Sequence, residues 1–468
     1  MKRFDVVVIG SGAAGLTAAF TANGLGKKVA LIDHNAPGGE CTWSGCIPSK
    51  ALVHLASESA IARKQGAPAP DTEAVMNTVR EASQNIYQHE TPEVIASAGV
   101  TFIQGSARFV SPHELSVAGK TLYAKKIILA TGSTATVPPI EGIHSVPYLT
   151  NDRFFQQTQL PSSILVLGGG SIAVELGQAM AKLGVRVTLI EQQTQLLARE
   201  EAAFAHDIQA RLEADGVDVR LGHRALNVVK TASGVKLESE CQGQKFQHFA
   251  ERLLVAAGRT PVFEKLNLAA ADINTDRGVT VNRYLQTSQP HIYACGDLIG
   301  PYQLSHMANY QAKIAARNAV FPFRKKATYE HVCWTLFCDP EFARTGLTEA
   351  EARQQHQDVR VYEYDLGRLD RARIQSPYPG RIKIILDRKG YVLGGHILGE
   401  RAGELITQVQ TFKTLKLPFR DLQQVIHPYP TFSDALRQIS QQVWIDDLQR
   451  QPVVRLAKAV SRLLHRPG

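Results

Sequence analysis

The chain of 468 residues carries 52 lysines and arginines against 43 aspartates and glutamates, a formal net charge of +9 at pH 7. Hydrophobic residues make up 44% and charged residues 20%, which is ordinary globular usage and excludes a disordered or fibrous chain. No apolar run approaches the roughly 18 residues that a membrane-spanning helix needs. At roughly 150 residues per domain, the length predicts about three domains.

The first predicted element is a buried strand that ends in a glycine-rich turn. The strand Phe4–Ile9 leads into Gly-Ser-Gly-Ala-Ala-Gly at residues 10–15, then a helical stretch and a second strand that ends at Asp33. A basic start before an apolar run also resembles a signal peptide, but Asp5 interrupts the run and the glycines follow at once. We therefore expect a strand at the start of a cytoplasmic protein.

The same pattern returns later in the chain, where a strand at residues 164–167 meets three glycines and a second acid, Glu191, ends the next strand. The acid lies 23 positions after the first glycine in both copies. Such a unit binds a dinucleotide, because the glycines permit a sharp turn and close approach of a pyrophosphate to a helix N-terminus. The candidate binding residues are Gly10, Gly12, Ala14, Gly15 and Asp33 in the first copy, and Gly168, Gly170, Ala173 and Glu191 in the second.

Glu191 also predicts which nicotinamide cofactor is used. Its carboxylate would accept hydrogen bonds from ribose hydroxyls and repel a 2′-phosphate, and the next two residues are glutamines rather than arginines. We therefore expect NADH to be preferred over NADPH.

Two cysteines five positions apart, Cys41 and Cys46, lie between the two copies. Pro48 is suited to the first turn of a helix, whose apolar pattern continues until Gly66. Cys46 then lies just before a helix N-terminus, and both the helix dipole and Lys50 favour its thiolate. A disulfide closing so short a loop is expected to be strained and readily reduced. The alternative is a pair of buried structural cysteines on a turn.

Together these segments resemble the FAD-dependent pyridine nucleotide–disulfide oxidoreductases, which include dihydrolipoamide dehydrogenase, glutathione reductase and mercuric reductase. The resemblance extends from Phe4 to about Gln438, and its motifs occur in the family order. Besides the glycine units and the run Cys-Thr-Trp-Ser-Gly-Cys-Ile-Pro-Ser-Lys, the matching segments are residues 128–132, 255–261, 287–297, 339–341 and 395–406.

The resemblance implies an α/β fold with two Rossmann-like domains, for FAD and NAD, and a C-terminal α+β dimerisation domain. The expected boundaries are 1–145 and 266–326 for the two FAD segments, 146–265 for the NAD domain and 327–468 for the dimerisation domain. It assigns the first glycine unit to FAD and the second to NAD. Further residues expected at FAD are Gly39, Cys41, Lys50, Thr131, Gly132, Gly296 and Asp297, and further residues expected at NAD are Gly258 and Arg259.

The implied activity passes electrons from NAD(P)H through FAD to the Cys41–Cys46 disulfide and then to an acceptor. Cys46 is expected to be the sulfur next to the flavin, and Cys41 the one that attacks substrate. Lys50 is expected beside the flavin, paired with Glu175 on a helix of the NAD domain. A homodimer is expected, in which the segment near His427 completes the partner's site.

This chain departs from the family pattern in that segment. Tyr429 stands where disulfide reductases have a catalytic histidine, and Asp434 replaces the supporting glutamate. A phenol titrates near pH ~10 and an imidazole near ~6.5, so Tyr429 would be a poor proton shuttle at neutral pH. His427, two residues earlier, is the alternative base. A tyrosine here is also similar to mercuric reductases, in which a soft metal ion is the substrate held by thiolates.

The sequence therefore predicts electron transfer to a thiol-reactive acceptor, a small disulfide or a soft metal ion held transiently by Cys41 and Cys46. A dedicated mercury detoxifier is not expected, because neither an N-terminal Cys-x-x-Cys domain nor a C-terminal cysteine pair is present. Dihydrolipoamide dehydrogenase or another small-disulfide reductase is the alternative. A membrane-associated NADH:quinone reductase and a non-catalytic NADH-binding flavoprotein stay open. No nucleic-acid-binding pattern occurs.

Other residues have less specific interpretations. Cys333 and Cys338 are expected to be structural residues on opposite faces of a strand, and His306 a packing or capping residue. Trp43 adds an apolar group to the redox loop with no effect that can be inferred, and Cys241 has no evident role. The tail from Gln451 has apolar residues at helical spacing among basic ones, typical of a helix packed on the dimerisation domain or bound weakly to anionic lipid.

Overall fold

The computed structural model describes residues 2–376 and 378–454. These residues divide into two units: 2–198 together with 205–328, and 199–204 together with 329–454. No helix among them has the length and apolar character that crossing a membrane requires. The tail from Arg455 onward lies outside the described residues, and its interpretation stays a prediction.

The first unit begins with the predicted strand, turn and helix. The elements up to residue 149 are β1 (Lys2–Ile9), α1 (Ala13–Gly24), β2 (Val29–Asp33), α2 (Gly39–Trp43), α3 (Cys46–Lys64), α4 (Thr72–Tyr87), α5 (Pro92–Ser97), β3 (Thr101–Gln104), β4 (Ala107–Ser111), β5 (Glu114–Val117), β6 (Lys120–Leu129), β7 (Ser133–Ala135) and β8 (Tyr148–Leu149). The apolar residues of β1 and β2 are almost fully buried, as expected for strands covered on both faces.

The rest of the first unit contains the second copy of the repeat. Its elements are α6 (Asn151–Phe154), β9 (Ser163–Leu167), α7 (Ser171–Lys182), β10 (Arg186–Glu191), α8 (Ala202–Ala214), β11 (Val217–Leu221), β12 (Arg224–Thr231), β13 (Gly234–Cys241), β14 (Gln244–Ala250), β15 (Arg252–Val255), β16 (Arg259–Pro261), β17 (Ile292–Ala294) and α9 (Ser305–Val320). The first three residues of α8 belong to the second unit.

Two sheets repeat one arrangement. In the first, of order β3-β2-β1-β6-β5-β4, strand β1 runs parallel to its neighbours β2 and β6. In the second, of order β11-β10-β9-β15-β8, strand β9 runs parallel to β10 and β15. The order in which the chain adds strands to the sheet reverses at β1 and at β9, and ligands of open α/β sheets bind outside the carboxyl ends of the strands at such a point. Both glycine turns lie there, which confirms the predicted fold class.

The first sheet is assembled from two distant chain segments. Strand β17 pairs in parallel with β6, so that residues 292–294 lie beside residues 127–129. Strands β12, β13 and β14 form a separate antiparallel sheet, and β7 pairs with β16. The carboxyl ends of β1, β6 and β17 consequently lie at the same edge of one sheet.

The second unit is an antiparallel sheet packed against helices. Its elements are β18 (Cys333–Leu336), β19 (Phe342–Gly346), α10 (Glu349–Gln355), β20 (Val359–Asp365), α11 (Asp370–Gln375), β21 (Arg381–Asp387), β22 (Val392–Leu398), α12 (Ala402–Leu415) and α13 (Asp434–Arg450). The strand order is β18-β19-β22-β21-β20. Its core is continuous from Ile382 and Ile384 on the sheet to Val409 and Ile439 on the helices, as predicted for an α+β domain.

Candidate active site

Glycine is required at the start of each dinucleotide unit. Gly10 has a φ of +100°, and a Cβ there would lie 2.3 Å from the carbonyl oxygen of Ala130. A Cβ on Gly15 would lie 1.7 Å from the carbonyl oxygen of Gly10. In the second unit Gly168 has a φ of +116°, and its Cβ would lie 2.4 Å from the carbonyl oxygen of Ala256. These glycines therefore serve the turn and the close packing of helix on strand.

Gly170 differs, because a Cβ on it would meet no atom within 4 Å. The fold itself thus leaves room in front of helix α7, where the second glycine of the motif admits a pyrophosphate. Helices α1 and α7 both begin without a side-chain cap, after Gly12 and Gly170 respectively. Their first N–H groups lack an intrahelical partner and are suited to an anion. The residues of both turns therefore fit a bound dinucleotide.

The acid that ends each unit is at the predicted place. Asp33 accepts hydrogen bonds from the backbone N–H of Ser11 at 2.7 Å and from its hydroxyl at 2.9 Å. Glu191 accepts one from the backbone N–H of Gln193 at 2.7 Å. The side chain of Glu191 also lies against Gly169, because a Cβ on that glycine would be 2.8 Å from its Cγ. Each acid is therefore held beside its glycine turn.

The other predicted nucleotide residues follow the carboxyl ends of neighbouring parallel strands. Thr131 and Gly132 follow β6, and Gly296 and Asp297 follow β17, beside the Gly10 turn after β1. Gly39 lies against that turn, since a Cβ on it would be 2.5 Å from Cα of Gly12. In the second sheet, the expected NAD residues Gly258 and Arg259 follow β15, which is the strand next to β9. Ala14 and Ala173 are buried in α1 and α7.

The two redox cysteines belong to two consecutive helices. Cys41 lies in α2, and Cys46 is the first residue of α3, which has no side-chain cap at its N-terminus. Both thiols are free. The pKa of Cys46 is lowered to about 6, chiefly by a hydrogen bond from the Cys41 thiol and also by Ser305 and Lys50, while burial opposes the shift. The same hydrogen bond, together with burial, raises the pKa of Cys41. Cys46 is therefore the sulfur that carries negative charge.

Lys50 lies one helical turn beyond Cys46 and is paired across the fold. Its Nζ lies 2.8 Å from Oε2 of Glu175, which is buried in α7. The two residues are 125 positions apart, so the pair joins the redox helix to the helix of the second dinucleotide unit. The expected Lys50–Glu175 pair is thus present in the structure.

A second ion pair lies beside the redox loop, and the sequence did not indicate it. The guanidinium of Arg259 contacts the carboxylate of Glu40, the residue before Cys41, and Nε of Arg259 lies 3.6 Å from Oδ2 of Asp297. Ser133 Oγ donates to that same Asp297 oxygen at 2.7 Å. Burial raises the pKa of Glu40 to about 7 although Arg259 opposes the shift. Arg259, predicted to bind NAD, thus contacts residues of the predicted FAD and redox sites.

Trp43 has a structural explanation. Its Nε1 donates to the carbonyl oxygen of Pro37 at 2.9 Å, and its ring packs on Tyr87 with 4.8 Å between centroids. Thr42 next to it donates to Glu90 at 2.7 Å. The contacts with Tyr87 and Glu90 fix the redox loop against helix α4 and the residues that follow it.

The segment predicted to supply the acid–base residue lies in the second unit. Tyr429 is 73% exposed, and its hydroxyl donates to Oδ2 of Asp370 at 2.8 Å. That hydrogen bond raises the pKa of the phenol. Asp434 accepts hydrogen bonds from Arg437 at 2.5 Å and Gln438 at 2.7 Å. His427 Nδ1 is 2.8 Å from the carbonyl oxygen of Val425, so in this structure His427 and Asp434 bond to different partners.

Two interpretations from the sequence are corrected. Strand β18 ends at Leu336, so Cys338 follows the strand and its thiol bonds to the carbonyl oxygen of Pro340 at 3.1 Å. Burial raises the pKa of Cys333, which suits a structural role. His306 does not pack in the interior, because it is the exposed second residue of α9, which begins at Ser305; a capping role stays a prediction.

Two dinucleotide sites that flank a half-buried dithiol define a class of protein, the flavoproteins that reduce acceptors with a pyridine nucleotide. The chain belongs to the pyridine nucleotide-disulphide oxidoreductase family, which it matches over residues 4–312, with the dimerisation domain of that family at residues 332–439. Members of this family are enzymes that bind FAD and a pyridine nucleotide. The predicted family and kind of enzyme are confirmed.

The relatives come from two branches of the family. The chain is 31% identical over 444 residues to a mercuric reductase of Bacillus cereus, covering 93% of this chain and 70% of the relative. It is 33% identical over 456 residues to a dihydrolipoyl dehydrogenase of Thermus scotoductus, covering 94% and 97%. Among solved structures, the HOCl-induced flavoprotein disulfide reductase RclA of Escherichia coli, in a Cu(II) complex, matches with a TM-score of 0.85 at 28% identity, covering 95% and 100%.

Proposed function

We propose that this enzyme passes electrons from NADH through FAD and the Cys41–Cys46 pair to a soft, thiol-reactive acceptor, as a mercuric reductase does. The observation that carries the proposal is the environment of Tyr429. A phenol that donates to Asp370 and has a raised pKa holds its proton at neutral pH. It is therefore unsuited to accept a proton from a thiol.

The state of Cys41 explains why the acceptor should be soft. Disulfide exchange requires a thiolate as the attacking group, but burial and the hydrogen bond to Cys46 keep Cys41 protonated. A disulfide substrate would therefore need a base close to Cys41. A soft metal ion does not need one to the same extent, because its binding to sulfur itself displaces the thiol proton.

The residues of the first unit have distinct roles in this proposal. FAD and NADH, when bound, supply hydride and electron transfer. Cys46 holds negative charge after the disulfide is reduced, and Cys41 faces the acceptor. Lys50, held by Glu175 at 2.8 Å, places a positive charge near the negative charge of Cys46 and near the expected position of the flavin ring. Asp297 and Asp33 hold hydroxyl groups of FAD.

A homodimer is part of the proposal. The match to a dimerisation domain at residues 332–439 supports it, and the segment with His427, Tyr429 and Asp434 lies within that match. In the dimer we propose, this segment lies at the Cys41–Cys46 pair of the partner. The acceptor site would then be lined by Tyr429, with no imidazole in the usual place.

The proposal predicts a clear order of acceptors. Purified enzyme should oxidise NADH with thiol-complexed Hg(II) at least about 100-fold faster than with lipoamide, because the missing acid–base group contributes roughly 10²- to 10⁴-fold to disulfide exchange. Absorbance at the NADH band measures both rates. Cu(II) belongs in the same panel, since the RclA structure is a Cu(II) complex.

The alternative is a dihydrolipoyl dehydrogenase, which the relative from Thermus scotoductus favours. Fast turnover of lipoamide that is lost in His427→Gln would establish it and contradict the proposal. Tyr429→His should create lipoamide activity if the missing base alone limits disulfide exchange, and Tyr429→Phe is its matched control. Turnover of a quinone alone, or binding of NADH without turnover of any acceptor, would also contradict the proposal.

The nicotinamide preference is a separate prediction. We expect kcat/KM for NADH to exceed that for NADPH by about 100-fold, because the carboxylate of Glu191 would face the 2′-phosphate and like charges in a site cost several kcal/mol. Glu191→Gln should reduce the ratio by improving use of NADPH, while flavin content stays constant. Equal use of both reductants by the unmodified enzyme would refute the prediction.

A further inference from the structure

Ser305 contacts Cys46 of the redox pair, and no pattern in the sequence indicates this contact. Its Oγ lies 3.2 Å from Sγ of Cys46, across 259 positions of the chain. Ser305 is the first residue of α9, just as Cys46 is the first residue of α3, and neither helix has a side-chain cap at its N-terminus. The positive ends of two helix dipoles are therefore close to one sulfur atom.

The protonation state of Cys46 decides the direction of this hydrogen bond. Either atom can donate when the thiol is protonated, but a thiolate has no proton to give. The Ser305 hydroxyl must then donate, and a hydrogen bond to a charged acceptor is roughly twice as strong as one between neutral groups. The contact consequently stabilises the thiolate more than the thiol.

The other groups around Cys46 do not make this hydroxyl redundant. Cys41 donates to the sulfur, Lys50 attracts its charge, and Glu175 repels it. Since Lys50 is paired with Glu175 at 2.8 Å, part of the lysine charge is already neutralised. Ser305 adds a neutral donor 3.2 Å from the sulfur of Cys46. It also acts to lower the pKa of Cys41, but there the hydrogen bond with Cys46 and burial are larger and raise the pKa.

We propose that Ser305 is a positioning residue of the redox pair: its hydroxyl donates to the Cys46 sulfur in the reduced enzyme and stabilises the negative charge on that sulfur. The inference rests on the proposed role of the Cys41–Cys46 pair. Ser305 thereby supports an arrangement in which the sulfur of Cys46 stays charged beside the flavin and the sulfur of Cys41 stays protonated until the acceptor arrives.

The test compares Ser305→Thr with Ser305→Val, two variants of similar shape that differ by one hydroxyl, and includes Ser305→Ala. The reduced holoenzyme is titrated with acid while the thiolate-to-flavin absorption is recorded, and alkylation of Cys46 by iodoacetamide is followed by mass spectrometry. The unmodified protein should titrate near the Cys46 pKa of about 6. The midpoint should rise by about one to two pH units in Ser305→Ala and Ser305→Val, and Ser305→Thr should restore it.

Asn309→Ala is the control for general loosening of α9. Asn309 accepts a hydrogen bond from Thr17 at 3.0 Å, one turn along the same helix, so its loss should leave the midpoint unchanged. Equal midpoints in Ser305→Thr and Ser305→Val would overturn the inference while leaving the proposed function intact. If the unmodified protein has no thiolate signal that Cys46→Ser removes, the role of the pair is wrong and the inference falls with it.

Discussion

Replacement of Cys46 by serine should abolish both acceptor reduction and the long-wavelength thiolate-to-flavin absorption, whereas replacement of Cys41 should abolish acceptor reduction only. The difference follows from the lowered pKa of Cys46 and the raised pKa of Cys41. Turnover should fall roughly 1,000-fold or more in each variant, because both remove a sulfur that must change its bonding. In both, NADH should still bleach the flavin.

An anaerobic NADH titration followed by an acceptor assay measures all of these quantities. Cys241→Ser is the control, because Cys241 is a half-buried thiol in the antiparallel sheet of β12, β13 and β14. Its loss should change neither spectrum nor rate. If Cys41→Ser lost the thiolate absorption and Cys46→Ser kept it, the order of the two sulfurs would be reversed.

Gly170→Ala should raise KM for NADH by roughly 10- to 100-fold without loss of stability. A Cβ on this residue meets no protein atom within 4 Å, and its φ of −82° suits any residue. The added methyl group can therefore clash only with a bound ligand. Thermal unfolding and steady-state kinetics with NADH separate the two effects.

Gly177→Ala is the matched control in the same helix. Its Cβ would lie 3.8 Å from Cγ1 of Val187, an ordinary contact, and alanine in a helix interior is more stable than glycine by about 0.5–1 kcal/mol. We expect slightly higher stability and unchanged KM. An unchanged KM in Gly170→Ala would show that the nucleotide does not approach this turn.

The fold was predictable where its determinants are local in sequence. The glycine turn and the acid at the end of the second strand lie within one strand–helix–strand unit. The strand predicted at Phe4–Ile9 is found at Lys2–Ile9, and the strand predicted to end at Asp33 is found at Val29–Asp33. The redox helix was predicted from Pro48 and an apolar pattern ending at Gly66, and it runs from Cys46 to Lys64. Family resemblance supplied Lys50–Glu175, a pair that no local pattern indicates.

Contacts made only by tertiary packing were not predictable. Ser305 and Cys46 are 259 positions apart, and Arg259 and Glu40 are 219 apart. The residues next to Ser305 and to Arg259 in the sequence do not indicate these partners, since serine is common at helix starts and arginine is common on surfaces. The family resemblance placed Arg259 with NAD, whereas the pairing of β16 with β7 brings it to Ser133, and its Nε lies 3.6 Å from Asp297.

The hexapeptide at residues 199–204 restricts how this chain can be cut or recombined. It belongs to the second unit, where Glu200 lies 3.3 Å from Arg344, Glu201 lies 2.8 Å from Lys383, and Phe204 packs on Phe342. A fragment ending at residue 328 would strand these acids and this ring without their neighbours. A functional hybrid with a relative must therefore exchange the hexapeptide together with residues 329 onward, although the two segments are encoded by separate stretches of the gene.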